Sequence, residues 1–141
     1  MSPQPTPELF GPEHVRTYRE TGGERGYIWK EGTTILLLTT TGRKSGEPRT
    51  MPLIFREDGD RWVIVASKGG WPDDPGWYKN LVESPDATIQ VLDEEIPVRA
   101  STATGAEHGR LWKLMAEVWP HYDEYQQRAD REIPVVVLER R

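Results

Sequence analysis

The 141-residue sequence has no cysteine, three histidines, two phenylalanines and an excess of acid over base. Without cysteine there is no disulfide framework, thiol nucleophile, iron–sulfur cluster or Cys-ligated zinc, and His14, His108 and His121 lack a ligand spacing such as i, i+4. No metal site is expected. Long hydrophobic runs are also missing: Ile35-Leu36-Leu37-Leu38 is far short of a membrane span, and Met1-Ser2-Pro3-Gln4-Pro5 lacks the basic and apolar regions of a signal peptide. The expected location is cytoplasmic, with peripheral contact at the inner membrane left open. Eighteen Lys and Arg against twenty-three Asp and Glu give a net charge of −5, which argues against general nucleic-acid coating. Any cationic site must therefore be local. What is present is 35% hydrophobic residues, enough for one core and one domain, and six Trp, which suit a core and a flat ligand site equally well.

Three prolines stand in the first seven residues, so residues 1–11 read as a disordered lead and 12–141 as one domain. A short helix is expected after Pro12, ending before Gly22-Gly23, with a thin apolar face of Val15 and Tyr18. Thr33–Thr40 reads as a strand. Thr50–Arg56 and Arg61–Ser67 read as a hairpin about Glu57-Asp58-Gly59-Asp60. Pro75–Glu83 reads as a helix with Asp74 as N-cap. Ala87–Leu92 and Ile96–Thr102 are two further strands. Thr104 and Glu107 offer a capping box before the helical spacing of Leu111, Leu114, Met115 and Val118, which Pro120 stops or kinks. Ile133–Leu138 is the last strand. Six strands with few short helices and no βαβ alternation predict a mostly antiparallel sheet closed into a small barrel.

Four segments could carry chemistry. Thr41–Arg49 holds Arg43, Lys44 and Arg49 against Glu47 alone, with two glycines, which suits an anion but also a solvated turn. Ala66-Ser67-Lys68-Gly69-Gly70 closes a strand with a hydroxyl, a cation and two glycines, as a ligand-approaching loop or a plain turn. Trp77, Asn80 and Leu81 share one helical face, as core or as site. Trp119, Tyr122 and Tyr125 recur every third residue, as a core stripe or an aromatic wall. Acidic Asp123-Glu124, Asp93-Glu94-Glu95 and Asp58-Gly59-Asp60 read as surface or turns, and no Ser–His–Asp order suggests a hydrolase.

In order, Leu36-Leu37-Leu38-Thr39-Thr40-Thr41-Gly42-Arg43-Lys44-Ser45-Gly46, Arg49…Pro52-Leu53, Ala66-Ser67-Lys68-Gly69-Gly70 and Pro75…Trp77-Tyr78…Asn80-Leu81 closely resemble the deazaflavin-dependent nitroreductases, also called coenzyme F420-dependent quinone reductases. The likeness runs from about Thr17 to Leu138. It implies a split β-barrel related to the FMN-binding pyridoxamine-phosphate-oxidase barrels, in agreement with the six-strand reading. It also implies coenzyme F420, with a flat deazaflavin ring, a ribityl chain, a phosphate and an oligoglutamate tail.

By that resemblance Arg43, Lys44, Ser45 and Arg49 hold the phosphate and tail. Thr50, Met51, Pro52, Leu53 and Ile54 run along the ring and chain. Val65, Ala66, Ser67, Lys68, Gly69 and Gly70, then Gly76, Trp77, Tyr78, Lys79 and Asn80, complete the pocket, Trp77 by packing and Asn80 by hydrogen bonding. Tyr122 and Tyr125 fit the tyrosine-rich wall that faces substrate in the family, Tyr122 also reaching the coenzyme, while Trp119 departs from a frequent third tyrosine. The implied reaction is hydride transfer from the reduced deazaflavin to a small electrophilic acceptor, a quinone, enone or nitroaromatic. A proton then arrives from solvent, Ser67 or a tyrosine; Tyr122, protonated at neutral pH with an ordinary pKa near ~10, is favoured as donor or positioner. The alternatives are an FMN-binding oxidoreductase on the same barrel and a non-enzymatic deazaflavin-binding protein. The sequence carries no signal for an oligomeric state.

Overall fold

The computed structural model describes residues 2–141, and Met1, part of the expected lead, lies outside the described residues. In chain order the elements are β1 (Gln4–Pro5), α1 (Gly11–Thr21), β2 (Arg25–Ile28), β3 (Thr34–Thr41), β4 (Pro48–Asp58), β5 (Arg61–Val65), α2 (Gly76–Glu83), β6 (Asp86–Val91), β7 (Glu94–Thr102), α3 (Gly105–Val118), α4 (His121–Arg128) and β8 (Val135–Arg140). The strands form one sheet in the order β1-β2-β3-β4-β5-β8-β7-β6, and pairing of β3 with β6 closes the last six into a barrel. The six strands read from the sequence are those six.

Closure explains the apolar runs. Successive strand residues face opposite sides, so a strand buried on both sides loses its polar alternation. In β3, Leu36 and Leu38 join the barrel interior with Ile64, Ile89, Val136 and Leu138, while Ile35 and Leu37 face outward beneath Tyr18 of α1. Val63, Val65, Val135 and Val137 likewise point out of β5 and β8 into a second cluster with Leu111 and Met115 of α3. Helices α1, α3 and α4 thus cover the outer face, while α2 adds Trp77 and Leu81 to the interior cluster.

Strand β4 makes the opening. It pairs with β3 along the whole of Pro48–Phe55 but with β5 only at Arg56–Asp58. Over residues 50–55 one edge of β4 is therefore free of β5, and Pro52, which has no N–H to donate, sits in that stretch. The barrel is split there.

Several local expectations change. Within the expected lead, residues 4–9 pack on the domain: Gln4 N–H donates to Glu24 O at 2.8 Å and Thr6 N–H to Ile28 O at 2.9 Å, while Thr6 and Leu9 are buried. Backbone pairing to the edge strand β2, itself unread in the sequence, supplies what the sparse apolar content could not. Helix α1 ends as expected, with Gly22 left-handed at its C-cap, but it buries His14 with Tyr18. Pro75, rather than Asp74, occupies the N-cap position of α2, because the Asp74 carboxylate pairs with Arg131 at 2.8 Å. Thr104 precedes α3 without a side-chain cap bond, since Glu107 is drawn to Arg61 at 2.9 Å. Hydrogen bonds from Arg110 and then Arg61 hold the Asp58 carboxyl well below its ordinary pKa, so this network ties the β4–β5 hairpin to α3. The Trp119-Tyr122-Tyr125 series does not lie on one helix: α3 stops at Val118, Trp119 caps it, and α4 begins after Pro120.

Candidate functional site

A cleft of about 660 Å³ occupies the split. Met51 and Leu53 of β4 form one lip, Val65 and Ser67 the other, and Trp77 of α2 adds an aromatic face. At one end the β3–β4 loop brings Arg43, Lys44, Ser45 and Arg49, and Lys68 borders the cleft from the loop after β5. No ion pair among the described residues involves Lys44, Arg49 or Lys68, whereas Arg56, Arg61, Lys79, Arg110 and Arg131 each pair with a carboxylate. An apolar slot ending in unmatched cations suits a ligand with a planar ring and an anionic chain.

Asn80 sets the cationic loop. It is 5% exposed; its Nδ2 donates to Thr40 Oγ1 at 3.0 Å, and its Oδ1 accepts from Arg43 N–H at 3.1 Å and Arg43 Nη1 at 2.9 Å. Its oxygen is thus committed to the loop, so Asn80 borders the cleft chiefly as the residue that places Arg43.

A second cavity of about 350 Å³ adjoins the first, and Met51, Leu53, Val65 and Ser67 line both. Its walls are aromatic. Trp29 and Trp119 stack with centroids 5.8 Å apart at 29°, and Tyr122 meets Tyr125 edge-on at 6.1 Å. Trp119 Nε1 donates to Tyr125 Oη at 3.4 Å, whereas the Tyr122 hydroxyl has no hydrogen bond among the described residues. Burial, then the neighbouring Tyr125, pushes the Tyr122 pKa up, so its hydroxyl stays protonated and available as a donor. Ser67 Oγ, on the wall between the cavities, also has no protein partner among the described residues.

Above this cavity His121 packs on Trp119, ring centroids 4.5 Å apart, with Nδ1 2.9 Å from Glu124 and Nε2 2.9 Å from Glu31. Both nitrogens donate only in the imidazolium, and Glu31 first, then Glu124, raise the His121 pKa. A raised folded pKa stabilises the protein fully below the unfolded value near ~6.5 and loses that contribution as pH rises through the folded value. NMR titration is expected to place the His121 midpoint above 6.5, and Glu31→Gln is expected to lower it; an unshifted midpoint in the parent would contradict the bridge.

Of the residues expected from the sequence, Arg43, Lys44, Ser45, Arg49, Met51, Leu53, Val65, Ser67, Lys68, Gly76, Trp77 and Asn80 meet in the larger cleft, and Pro52, Ile54, Gly69, Tyr122 and Tyr125 in the smaller cavity. Five do not line either. Thr50 bonds Thr39 and Arg19, Ala66 is fully buried, and Gly70 is wedged under Tyr125, where an added Cβ would lie 2.6 Å from the Tyr125 carbonyl. Tyr78 turns to Thr102, and Lys79 pairs with Asp73. In α2, helical periodicity turns Tyr78 and Lys79 away from the face that Trp77 and Asn80 present to the cleft. Conversely Gly42, Pro75, Phe10, His14, Trp29 and Ile35 line the cavities without having been expected there. For Phe10, 78% exposed at the cavity mouth, an isolated large apolar residue in the lead was the only local signal.

The family model described as F420H(2)-dependent quinone reductase matches residues 11–140. The chain is 44% identical over 131 residues to an F420H(2)-dependent quinone reductase of Mycobacterium tuberculosis, covering 91% of this chain and 88% of that protein. It is similar to the solved structure of an F420-H2 dependent reductase with a TM-score of 0.70 and 43% identity, over 74% of this chain and 93% of that one. A Listeria innocua structure assigned as a pyridoxamine 5′-phosphate oxidase shares the fold at a TM-score of 0.53 and 13% identity, over 75% and 82% of the two chains. Among the described residues no helix is long and apolar enough to cross a membrane.

Proposed function

The chain belongs to the F420H(2)-dependent quinone reductase family, and from that premise we propose that its larger cleft holds reduced coenzyme F420 and its aromatic cavity seats the quinone that is reduced. The supporting observation is the shared wall: Met51, Leu53, Val65 and Ser67 border both cavities, so ligands in the two spaces can touch. The chemistry supplied by the bound coenzyme is hydride delivery to an electrophilic conjugated acceptor. Arg43, Lys44 and Arg49 bind the anionic chain, while Met51, Leu53, Val65 and Trp77 pack the ring. Trp29, Trp119 and Tyr125 hold the acceptor flat, and the Tyr122 hydroxyl donates a hydrogen bond to an acceptor oxygen on which negative charge develops. Ser67, at the junction, is positioned to hydrogen-bond either ligand. Enones and nitroaromatics share the planar, electron-poor character that this cavity selects.

Fluorescence titration with oxidised coenzyme F420 and with FMN tests the reading. The deazaflavin is expected to bind more tightly, and binding of FMN alone, or of neither, would remove the proposal. Lys44→Ala is expected to weaken coenzyme binding by about 1.5 kcal/mol, the low end for a charge-assisted hydrogen bond because the loop is exposed. The melting temperature should hardly move. Added salt should weaken the parent's binding in the same sense. Equal affinity in parent and variant would make Thr41–Arg49 a solvated turn.

A further inference from the structure

The loop between β5 and α2 belongs to both cavities: Ser67 and Lys68 border the coenzyme cleft, Ser67 and Gly69 the aromatic one. Its own backbone is poorly self-supporting. Lys68, Gly69 and Gly70 all have positive φ, at 46°, 63° and 81°, and a non-glycine residue there is strained. The turn's internal backbone bonds are Gly70 N–H to Ser67 O at 2.9 Å and Trp71 N–H to Lys68 O at 3.2 Å. Something outside the loop must hold it.

Arg131, in the connection between α4 and β8, does so. Its Nη2 donates to Ser67 O at 3.0 Å, Asp73 O at 3.2 Å and Ala66 O at 3.4 Å. Its Nε donates to Trp71 O at 3.2 Å, and its Nη1 reaches Ala66 O at 3.4 Å and the Asp74 carboxylate at 2.8 Å. The side chain is only 17% exposed. Gln126 of α4 fixes the stem: its Nε2 donates to Arg131 O at 2.8 Å, and its Oε1 accepts from Ile133 N–H at 2.9 Å. The rigid five-donor fork thus spans the whole loop and anchors it to the helix that carries Tyr122 and Tyr125. Gly70 seats the loop directly on that helix at the Tyr125 backbone.

We propose that Arg131 is a positioning residue for hydride transfer, setting the loop that separates the two ligands against the helix that presents the acceptor wall. The inference rests on the functional reading above. Of the four cations that border the coenzyme cleft, Arg43, Lys44 and Arg49 lie on the separate β3–β4 loop and Lys68 on this one, so Arg131 should govern the donor-to-acceptor placement more than coenzyme affinity. A misplacement of reacting groups by about 1 Å is enough to cost roughly 10²-fold in rate.

The test compares parent, Arg131→Met and Arg131→Lys. In coenzyme-free protein, amide hydrogen exchange at Gly70 and Trp71 is expected to quicken at least about tenfold in Arg131→Met, while β3 and β8 amides keep their protection. The coenzyme F420 dissociation constant should stay within about threefold, and single-turnover oxidation of bound reduced coenzyme by menadione should slow at least about tenfold. Arg131→Lys, which keeps a charge for Asp74 but not the planar fork, should fall between. Parental exchange at Gly70 and Trp71, or a parental oxidation rate, would overturn the proposal. So would a loss of protection spread evenly over β3 and β8. If Arg131→Met does not fold, Asp74→Asn takes its place, with about two- to fivefold changes expected in both readouts, and parental values again overturn it. A parent that binds no coenzyme would end the functional reading, while the exchange data would still decide whether Arg131 orders the loop.

Discussion

Tyr122→Phe is expected to lower single-turnover oxidation of the reduced coenzyme by menadione about 10²-fold, with coenzyme affinity nearly unchanged. The phenyl ring would keep the edge-on contact with Tyr125 and the packing against Trp112. Because the Tyr122 hydroxyl has no protein partner among the described residues, its removal should cost less than about 0.5 kcal/mol of stability, below the usual value of a lost hydrogen bond. Rate and stability are thereby separated. The same burial that raises the Tyr122 pKa makes it a reluctant proton source and a durable hydrogen-bond donor, so orientation and charge stabilisation account for the effect, with solvent supplying the proton. Accordingly, the parent's rate should show no loss from Tyr122 ionisation as pH rises to about 10, the ordinary tyrosine value. Equal oxidation rates in parent and variant would leave Tyr122 as packing alone.

Asn80→Leu is expected to reduce coenzyme affinity at least about tenfold and to destabilise the protein by about 1–3 kcal/mol, the cost of orphaning buried polar groups. Leucine fits the volume but leaves the Arg43 N–H and the Thr40 hydroxyl without the amide that joins them. The β3–β4 loop would then be held to α2 only by Arg43 Nη1 donating to Gly76 O at 3.3 Å, and its cations would search a wider space before meeting an anion. Calorimetric unfolding and a coenzyme titration at a temperature where the variant is folded give the two quantities. A variant that melts early yet binds with parental affinity would restrict Asn80 to folding.

The patterns that the sequence carried are those set between near neighbours. Short apolar and β-branched runs between turn signals marked the six barrel strands, Pro12 and Gly22 bracketed α1, and the spacing of Trp77, Asn80 and Leu81 placed all three on the buried face of α2. Composition likewise identified the one cationic loop in an acidic chain, because a local charge excess needs no tertiary partner to be seen.

Contacts between distant positions were decided only by the fold. Asp74 and Glu107 have the residue types and spacing of helix caps, but Arg131 and Arg61 offer each a stronger charge-assisted partner from 57 and 46 positions away. The order Trp119, Tyr122, Tyr125 suggested one helical stripe; the break at Pro120 instead turns the chain so that Trp119 stacks on Trp29, ninety residues earlier. The short strand Gln4–Pro5 exists because β2 offers an open edge, which low local hydrophobicity cannot announce. Above all, the separation of β4 from β5 creates both cavities and their common wall. Local sequence determines which residues form strands, but whether two strands pair or part depends on everything packed around them, and in this barrel the parting makes the site.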